Sequence, residues 1–158
     1  MPELATPRLF LRSLTTEEAS TLRVGELPPG WNFPPDYPMP DTADGVGLAL
    51  RHAAEEFGFY LVVRRGDELV VGEIGFVGPP VEGVVTIGYA VVPSARRQGY
   101  ATEAIRALSG WALARRDVDE VRAQTLPDNE PSARALLSAG FAEIEPVPRL
   151  RRFVLSEG

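Results

Sequence analysis

Ile87-Gly88-Tyr89-Ala90-Val91-Val92-Pro93-Ser94-Ala95-Arg96-Arg97-Gln98-Gly99-Tyr100-Ala101-Thr102-Glu103-Ala104 carries the most specific pattern in this chain. It places a buried strand, a tight loop and an amphipathic helix in immediate succession. A helix start offers about four unpaired backbone N–H groups and a partial positive charge, which together attract an anion without any lysine. Gly99 lets the backbone approach a ligand where a Cβ would collide, and Ala101 keeps the following turn small. Arg96 and Arg97 add positive charge at the mouth. The second and third glycines of a dinucleotide fingerprint are missing, and no Gly-Lys-Ser/Thr follows, so neither that motif nor the P-loop is present.

On the C-terminal side, Ala101, Ala104, Ile105, Leu108, Trp111 and Ala112 recur at three- and four-residue spacings, so 101–114 reads as a helix with one apolar stripe. Residues 121–126 read as a short strand, 132–139 as a short helix closed by Gly140, and 150–155 as a final strand. On the N-terminal side, 84–92 reads as a strand. Residues 59–63 and 69–77 flank the turn-like 64–68 and predict an antiparallel hairpin. A helix is expected from Asp41 to Phe57, weakened early by Gly45 and Gly47. Between Leu27 and Pro40 six prolines accompany Trp31, Phe33 and Tyr37, which excludes regular structure and reads as an ordered or mobile loop whose aromatics suggest a lid or a substrate wall. Residues 8–12 form the first strand, followed by a helix start at Thr15-Thr16-Glu17-Glu18. The order β-α-α-β-β-β-α-β-α-β predicts an α/β (α+β) protein, a mixed sheet with helices on both faces.

The chain has 158 residues, the size of one domain, so 1–158 is expected to be a single unit. With 44% hydrophobic and 24% charged residues the composition is globular, and no run approaches the ~20 apolar residues of a membrane span. No secretory signal precedes the first strand, and the absence of cysteine fits a cytoplasmic protein. It also excludes disulfides, thiolate metal sites and a cysteine nucleophile. The single His52 has no metal-binding companion and reads as a helix surface residue, so no metal site is expected. A net charge of −6 disfavours nucleic acid and attracts cationic amines.

Arg96-x-x-Gly99-x-Ala101 resembles the Q/R-x-x-G-x-G/A signature of the GNAT N-acetyltransferases. Ile87-Gly88-Tyr89, Thr102-Glu103-Ala104, Asn129-Glu130-Pro131-Ser132, Gly140-Phe141 and the opening Thr6-Pro7-Arg8-Leu9-Phe10-Leu11-Arg12 are similar to its RimJ/RimL-like branch, and the resemblance covers about residues 6 to 155. It implies the GNAT fold, a mostly antiparallel sheet of six to seven strands, and acetyl-coenzyme A as cofactor. It further implies that the backbone of Arg97, Gln98, Gly99, Tyr100, Ala101 and Thr102, with Arg96 at the mouth, holds the pyrophosphate. The strand Tyr89, Ala90, Val91, Val92 would pair with the pantetheine arm in a wedge toward 121–125, with Asn129 near the thioester and Ser132 near the leaving sulfur. The family's usual acid, a tyrosine four residues before the glycine of the Gly-Phe pair, is Leu136 here, which leaves Ser132 or an unassisted thiolate.

Direct transfer to a primary amine needs no acyl-enzyme but does need a base. Glu73 is the leading candidate, with Glu55, Glu56 and Asp36 behind it, and Trp31, Tyr37 and Glu73 are the expected acceptor contacts. Blander readings stand beside these. Asn129 reads equally as a helix N-cap, Ser132 as a local backbone partner, Glu73 as a solvent-facing strand residue, and Tyr89 and Trp111 as core side chains. The acceptor is either a protein or peptide N-terminal α-amine or a small-molecule amine. The rival from another class is a non-catalytic coenzyme A binding module with a regulatory or interaction role. Exposed strand edges allow a homodimer.

Overall fold

The computed structural model describes residues 3–52 and 57–156. Its strands are β1 (Glu3–Ala5), β2 (Leu9–Ser13), β3 (Phe59–Arg64), β4 (Val70–Phe76), β5 (Val84–Val91), β6 (Glu120–Thr125), β7 (Ala142–Val147) and β8 (Leu150–Ser156). Its helices are α1 (Thr16–Arg23), α2 (Thr42–His52), α3 (Tyr100–Leu113) and α4 (Glu130–Ser138), with a short 3-10 turn at Pro93–Ala95. One sheet runs in the order β1-β2-β3-β4-β5-β6-β8-β7. Every pairing is antiparallel except β5 with β6.

The sheet has eight strands where six to seven were expected. The additions are β1, three residues long, and β7, whose burial is exposed at five of six positions. Neither can show an alternating apolar pattern, because the first is too short and the second is an edge strand with no buried face to write into its sequence.

Strands β3 and β4 are buried almost throughout, and they read as continuous apolar runs because helices cover both faces. Gly75 and Phe76 mark the two sides. A Cβ on Gly75 would meet Phe59, which also abuts Gly45 of α2, whereas Phe76 packs against Trp111 of α3. So α2 lies on the Gly75 face and α3 on the Phe76 face. The expected stripe of α3 is observed, with Ala104, Ile105, Leu108 and Ala112 buried. Trp111 joins the core through Phe57 and Phe76. Helix α1 opens with a capping box in which Thr15 and Glu18 satisfy each other's backbone N–H groups. Residues 53–56, including Glu55 and Glu56, fall outside the described part of the predicted helix.

Candidate active site

The bend at 96–101 has the conformation its glycine requires. Gly99 is left-handed, with φ 82°, and is the N-cap of α3, so no side chain caps that helix. Its first amides are left for a ligand. Arg97 is also left-handed, with φ 66°, so two residues turn their amides into one concave backbone. Residues 96 to 99 are exposed.

Arg8 secures this bend, a role the sequence did not reveal. Its Nη1 donates to the Gln98 carbonyl at 2.7 Å, its Nε to Glu103 Oε1 at 2.7 Å, and its backbone N–H to Glu103 Oε2 at 2.9 Å. The guanidinium also lies over the Tyr100 ring. Desolvation raises the Glu103 pKa, but the bonds from Thr6 and Arg8 outweigh it and hold the carboxyl below its ordinary value. A Cβ on Gly99 would come within 3.2 Å of Arg8 Nη2.

Beside the bend, β5 and β6 part. They pair only at Val84↔Glu120, Val85↔Val121 and Thr86↔Arg122, so from Ile87 onward β5 has no neighbour on that edge. On its other edge it stays paired to β4 as far as Gly72↔Val91. The antiparallel ladder runs through Val77 N–H to the Thr86 carbonyl at 2.8 Å and Val92 N–H to the Val71 carbonyl at 2.9 Å. Its alternation therefore spends the main-chain groups of Gly88, Ala90 and Val92 on β4 and turns those of Tyr89 and Val91 into the gap. The Val91 carbonyl there accepts from Arg96 Nε at 3.1 Å. At the far end of β6 the buried Thr125 hydroxyl has no hydrogen-bond partner.

A cavity lies on the α2 face. About 290 Å3 in volume, it is lined by Asp41 and Asp44 from the start of α2, by Phe59, by Glu73 of β4, and by Tyr89 and Ala90 of β5. Glu73 is 6% exposed and accepts from Thr42 Oγ1 at 2.7 Å, while that oxygen accepts from the Met39 N–H at 3.0 Å. Burial, with Asp41 nearby, pushes the Glu73 carboxyl above its ordinary value despite the opposing bond from Thr42 and the Tyr37 hydroxyl close by. Tyr37 is buried behind it, stacked on Phe33 at 5.0 Å between ring centroids, and burial followed by the Glu73 charge raises its pKa.

The other expected residues divide. Trp31 donates its indole N–H to Glu18 of α1 at 2.5 Å and does not line the cavity. Asp36 accepts from the Ser94 backbone N–H at 2.8 Å and hydroxyl at 3.0 Å, and those bonds lower its pKa. It fastens the proline-rich loop to the turn that enters the 96–101 bend and is poorly suited to be a base. Asn129 is the N-cap of α4, its Oδ1 accepting from the Ser132 N–H at 3.3 Å, which leaves its amide NH2 available. The Ser132 hydroxyl lies 2.6 Å from the Tyr89 hydroxyl, which also donates to the Ser132 carbonyl at 3.1 Å. Burial raises the Tyr89 pKa. Leu136 is fully buried in the core.

Three features fit coenzyme A. The glycine bend offers free amides to a diphosphate, the unpaired β5 edge offers Tyr89 and Val91 to an amide-bearing arm, and the Thr125 hydroxyl, on the strand that parts from that edge, is an unsatisfied polar atom. Among the described residues no group of side chains could hold a metal ion, and no helix is long and apolar enough to cross a membrane.

Residues 8–142 match the profile of the acetyltransferase (GNAT) domain. The chain belongs to the GNAT acetyltransferase family, whose acyl donor is acetyl-coenzyme A. It is 36% identical over 95 residues to the uncharacterized N-acetyltransferase YjdG of Bacillus subtilis (strain 168), covering 60% of this chain and 56% of that protein. It is 40% identical over 109 residues to an aminoglycoside N(6')-acetyltransferase type 1 of Klebsiella aerogenes, covering 68% of this chain and 65% of that one. The chain thus spans less than two thirds of either relative. Its fold is similar to that of the ribosomal alpha-N-protein acetyltransferase RimL solved with coenzyme A, with a TM-score of 0.70 at 13% identity over 98% of both chains.

Proposed function

We propose that residues 1–158 form a single cytoplasmic N-acetyltransferase of the RimJ/RimL-like branch, moving an acetyl group from acetyl-coenzyme A directly to a primary amine. The acceptor is a protein N-terminal α-amine or a small-molecule amine, and the unpaired strand edge at β7 offers a surface for a homodimer. The observation that carries this reading is the position of Glu73. It is a buried carboxylate on the floor of a cavity that also reaches β5, the strand whose opposite edge is open.

Acetyl-coenzyme A, when bound, supplies a thioester carbonyl and a thiol leaving group. The amides of Gly99 to Thr102 hold its diphosphate, and Arg96 and Arg97 add positive charge at the mouth. Tyr89 and Val91 pair their main-chain groups with the arm, and one of their N–H groups polarises the carbonyl. Glu73 takes the proton from the acceptor ammonium, directly or through water, and burial, by raising its pKa, makes it a stronger base than an exposed carboxylate. Ser132 donates to the departing sulfur.

The test is thiol release on mixing the protein with acetyl-coenzyme A and a panel of amines and short peptides, alongside calorimetric titration with the coenzyme. Binding with turnover is expected. Tight binding without turnover on any acceptor would replace this reading with a non-catalytic coenzyme A module.

A further inference from the structure

The proline-rich loop is fastened at three places. At its start the Asn32 carbonyl accepts from the Val70 N–H at 2.9 Å and its Nδ2 donates to the Asp67 carbonyl at 3.2 Å, which pins the loop to the beginning of β4. At its end the Thr42 N–H donates to the Met39 carbonyl at 3.1 Å, and the Met39 N–H donates to Thr42 Oγ1 at 3.0 Å. That same hydroxyl donates to Glu73 Oε1 at 2.7 Å. Between these anchors Asp36 takes both the N–H and the hydroxyl of Ser94, at 2.8 Å and 3.0 Å.

Ser94 is the middle residue of the Pro93–Ala95 turn, whose C-cap is Arg96, the first residue of the bend. Val92 and Ala95, on either side of it, are buried and seat the turn on the core. On the loop side Tyr37 directly follows Asp36. It is buried, its N–H donates to the Pro34 carbonyl at 3.2 Å, and its ring stands behind Glu73. A displacement of Ser94 is therefore passed by Asp36 to Tyr37 and Met39, and by Met39 to the hydroxyl that orients Glu73. A surface contact such as Asp36 with Ser94 adds little to stability. It does fix the spacing between the bend and the carboxylate.

We propose that Asp36 is a positioning residue which, through Ser94, makes the placement of Glu73 follow the bend, so that acetyl-coenzyme A bound at residues 99–102 orders the 36–42 segment and the carboxylate with it. This rests on the acetyltransferase reading above and adds to it an energetic link between donor and acceptor. Such a link is reciprocal, so the acceptor in turn tightens the donor.

Amide hydrogen exchange on the whole chain, with and without saturating acetyl-coenzyme A, tests the link without any acceptor. The Met39 and Thr42 amides are hydrogen-bonded within the segment and report on it. In the wild type the coenzyme should slow their exchange by about fivefold, the low end of allosteric coupling, as well as slowing the 97–102 amides that it covers. In Asp36→Ala the protection at 97–102 should remain and that at 36–42 should vanish. Asp36→Asn lacks the charge but keeps an oxygen for the Ser94 N–H, so it should retain most of the effect. Exchange in β3 and α3 is the folding control for each variant.

With the acceptor that the panel above acetylates fastest, Asp36→Ala should lower kcat and leave the Kd for acetyl-coenzyme A little changed. Once Glu73→Gln is in place it should lower kcat no further. Protection of 36–42 that is equal in the wild type and Asp36→Ala, or absent from the wild type, would overturn the proposal. Additive losses with Glu73→Gln would do the same, and in each case the acetyltransferase reading would stand. Undiminished turnover in Glu73→Gln alone would instead strike the base assignment on which the proposal rests. Folded wild-type protein that fails to bind acetyl-coenzyme A would overturn both.

Discussion

Glu73 and Tyr89 stand on neighbouring strands with their side chains on opposite faces of the sheet. The register pairs Glu73 with Ala90 and Ile74 with Tyr89, so the carboxylate faces α2 while the phenol faces α4 and meets Ser132. The open edge of β5 runs between them. On the proposed mechanism, a carbonyl held at that edge has the carboxylate on one face of the sheet for the arriving amine and the hydroxyl pair on the other for the departing sulfur.

Glu73→Gln should lower turnover at neutral pH by roughly 10²- to 10⁴-fold while coenzyme affinity is kept. On the proposed mechanism, wild-type activity requires the ionised carboxylate. The acidic limb of kcat/KM should therefore lie above the ordinary carboxylate range, and the variant should lose it. Stability should move the other way. The folded state keeps the Glu73 proton to higher pH than the unfolded chain does, so stability falls as pH rises from the unfolded to the folded pKa. Removing that group should raise Tm at neutral pH, as calorimetry would show.

Gly99→Trp should abolish coenzyme binding by filling the space over the α3 amides. Gly99→Ala should already weaken it, because a left-handed φ of 82° costs a residue with a Cβ roughly 1–2 kcal/mol and the new atom meets Arg8. Titration calorimetry on folded variants reads both, and normal affinity in the tryptophan variant would remove the bend from the site.

Arg8→Ala should weaken acetyl-coenzyme A by about fivefold, a modest figure because the guanidinium is 47% exposed and its bonds are screened. Its loss frees the Gln98 carbonyl and leaves Glu103 near the helix start without its cation. The decrease should appear in Kd, with kcat at saturating donor little changed.

Ser132→Ala and Tyr89→Phe should each lower kcat by about tenfold, and together by little more than either alone, since two hydroxyls 2.6 Å apart act as one unit. Additive losses in the double-mutant cycle would separate their roles.

Leu136→Tyr should not supply the acid that the family resemblance implies for this position. The side chain is fully buried, so the added ring and hydroxyl overpack the core, at about 1–3 kcal/mol. A lower Tm with no gain in turnover is the expected result.

What could be read in the sequence was local. The strand, bend and helix at 87–104 are contiguous, and the period change at Ala101 marks the helix directly. The side-chain constellation was less legible because its members lie far apart in the chain. Arg8 reaches Glu103 over 95 residues, and Tyr89 reaches Ser132 over 43. Tyr89 therefore read as a core aromatic, although its hydroxyl end is polar and partnered. Asp36 read as a spare base because nothing local shows that Ser94, 58 residues on, occupies its carboxylate. Of the four main-chain partners expected on β5, the ladder to β4 absorbs those of Ala90 and Val92, which only register reveals.

The lysine-free composition of the chain governs whether the protein can acylate itself. Guanidinium groups stay protonated and are poor nucleophiles, so the protein's side chains give its own activated donor no amine to modify. Mass added to an internal fragment of this chain after long incubation with acetyl-coenzyme A would thus point to contamination or to ester chemistry rather than to self-acylation of an amine.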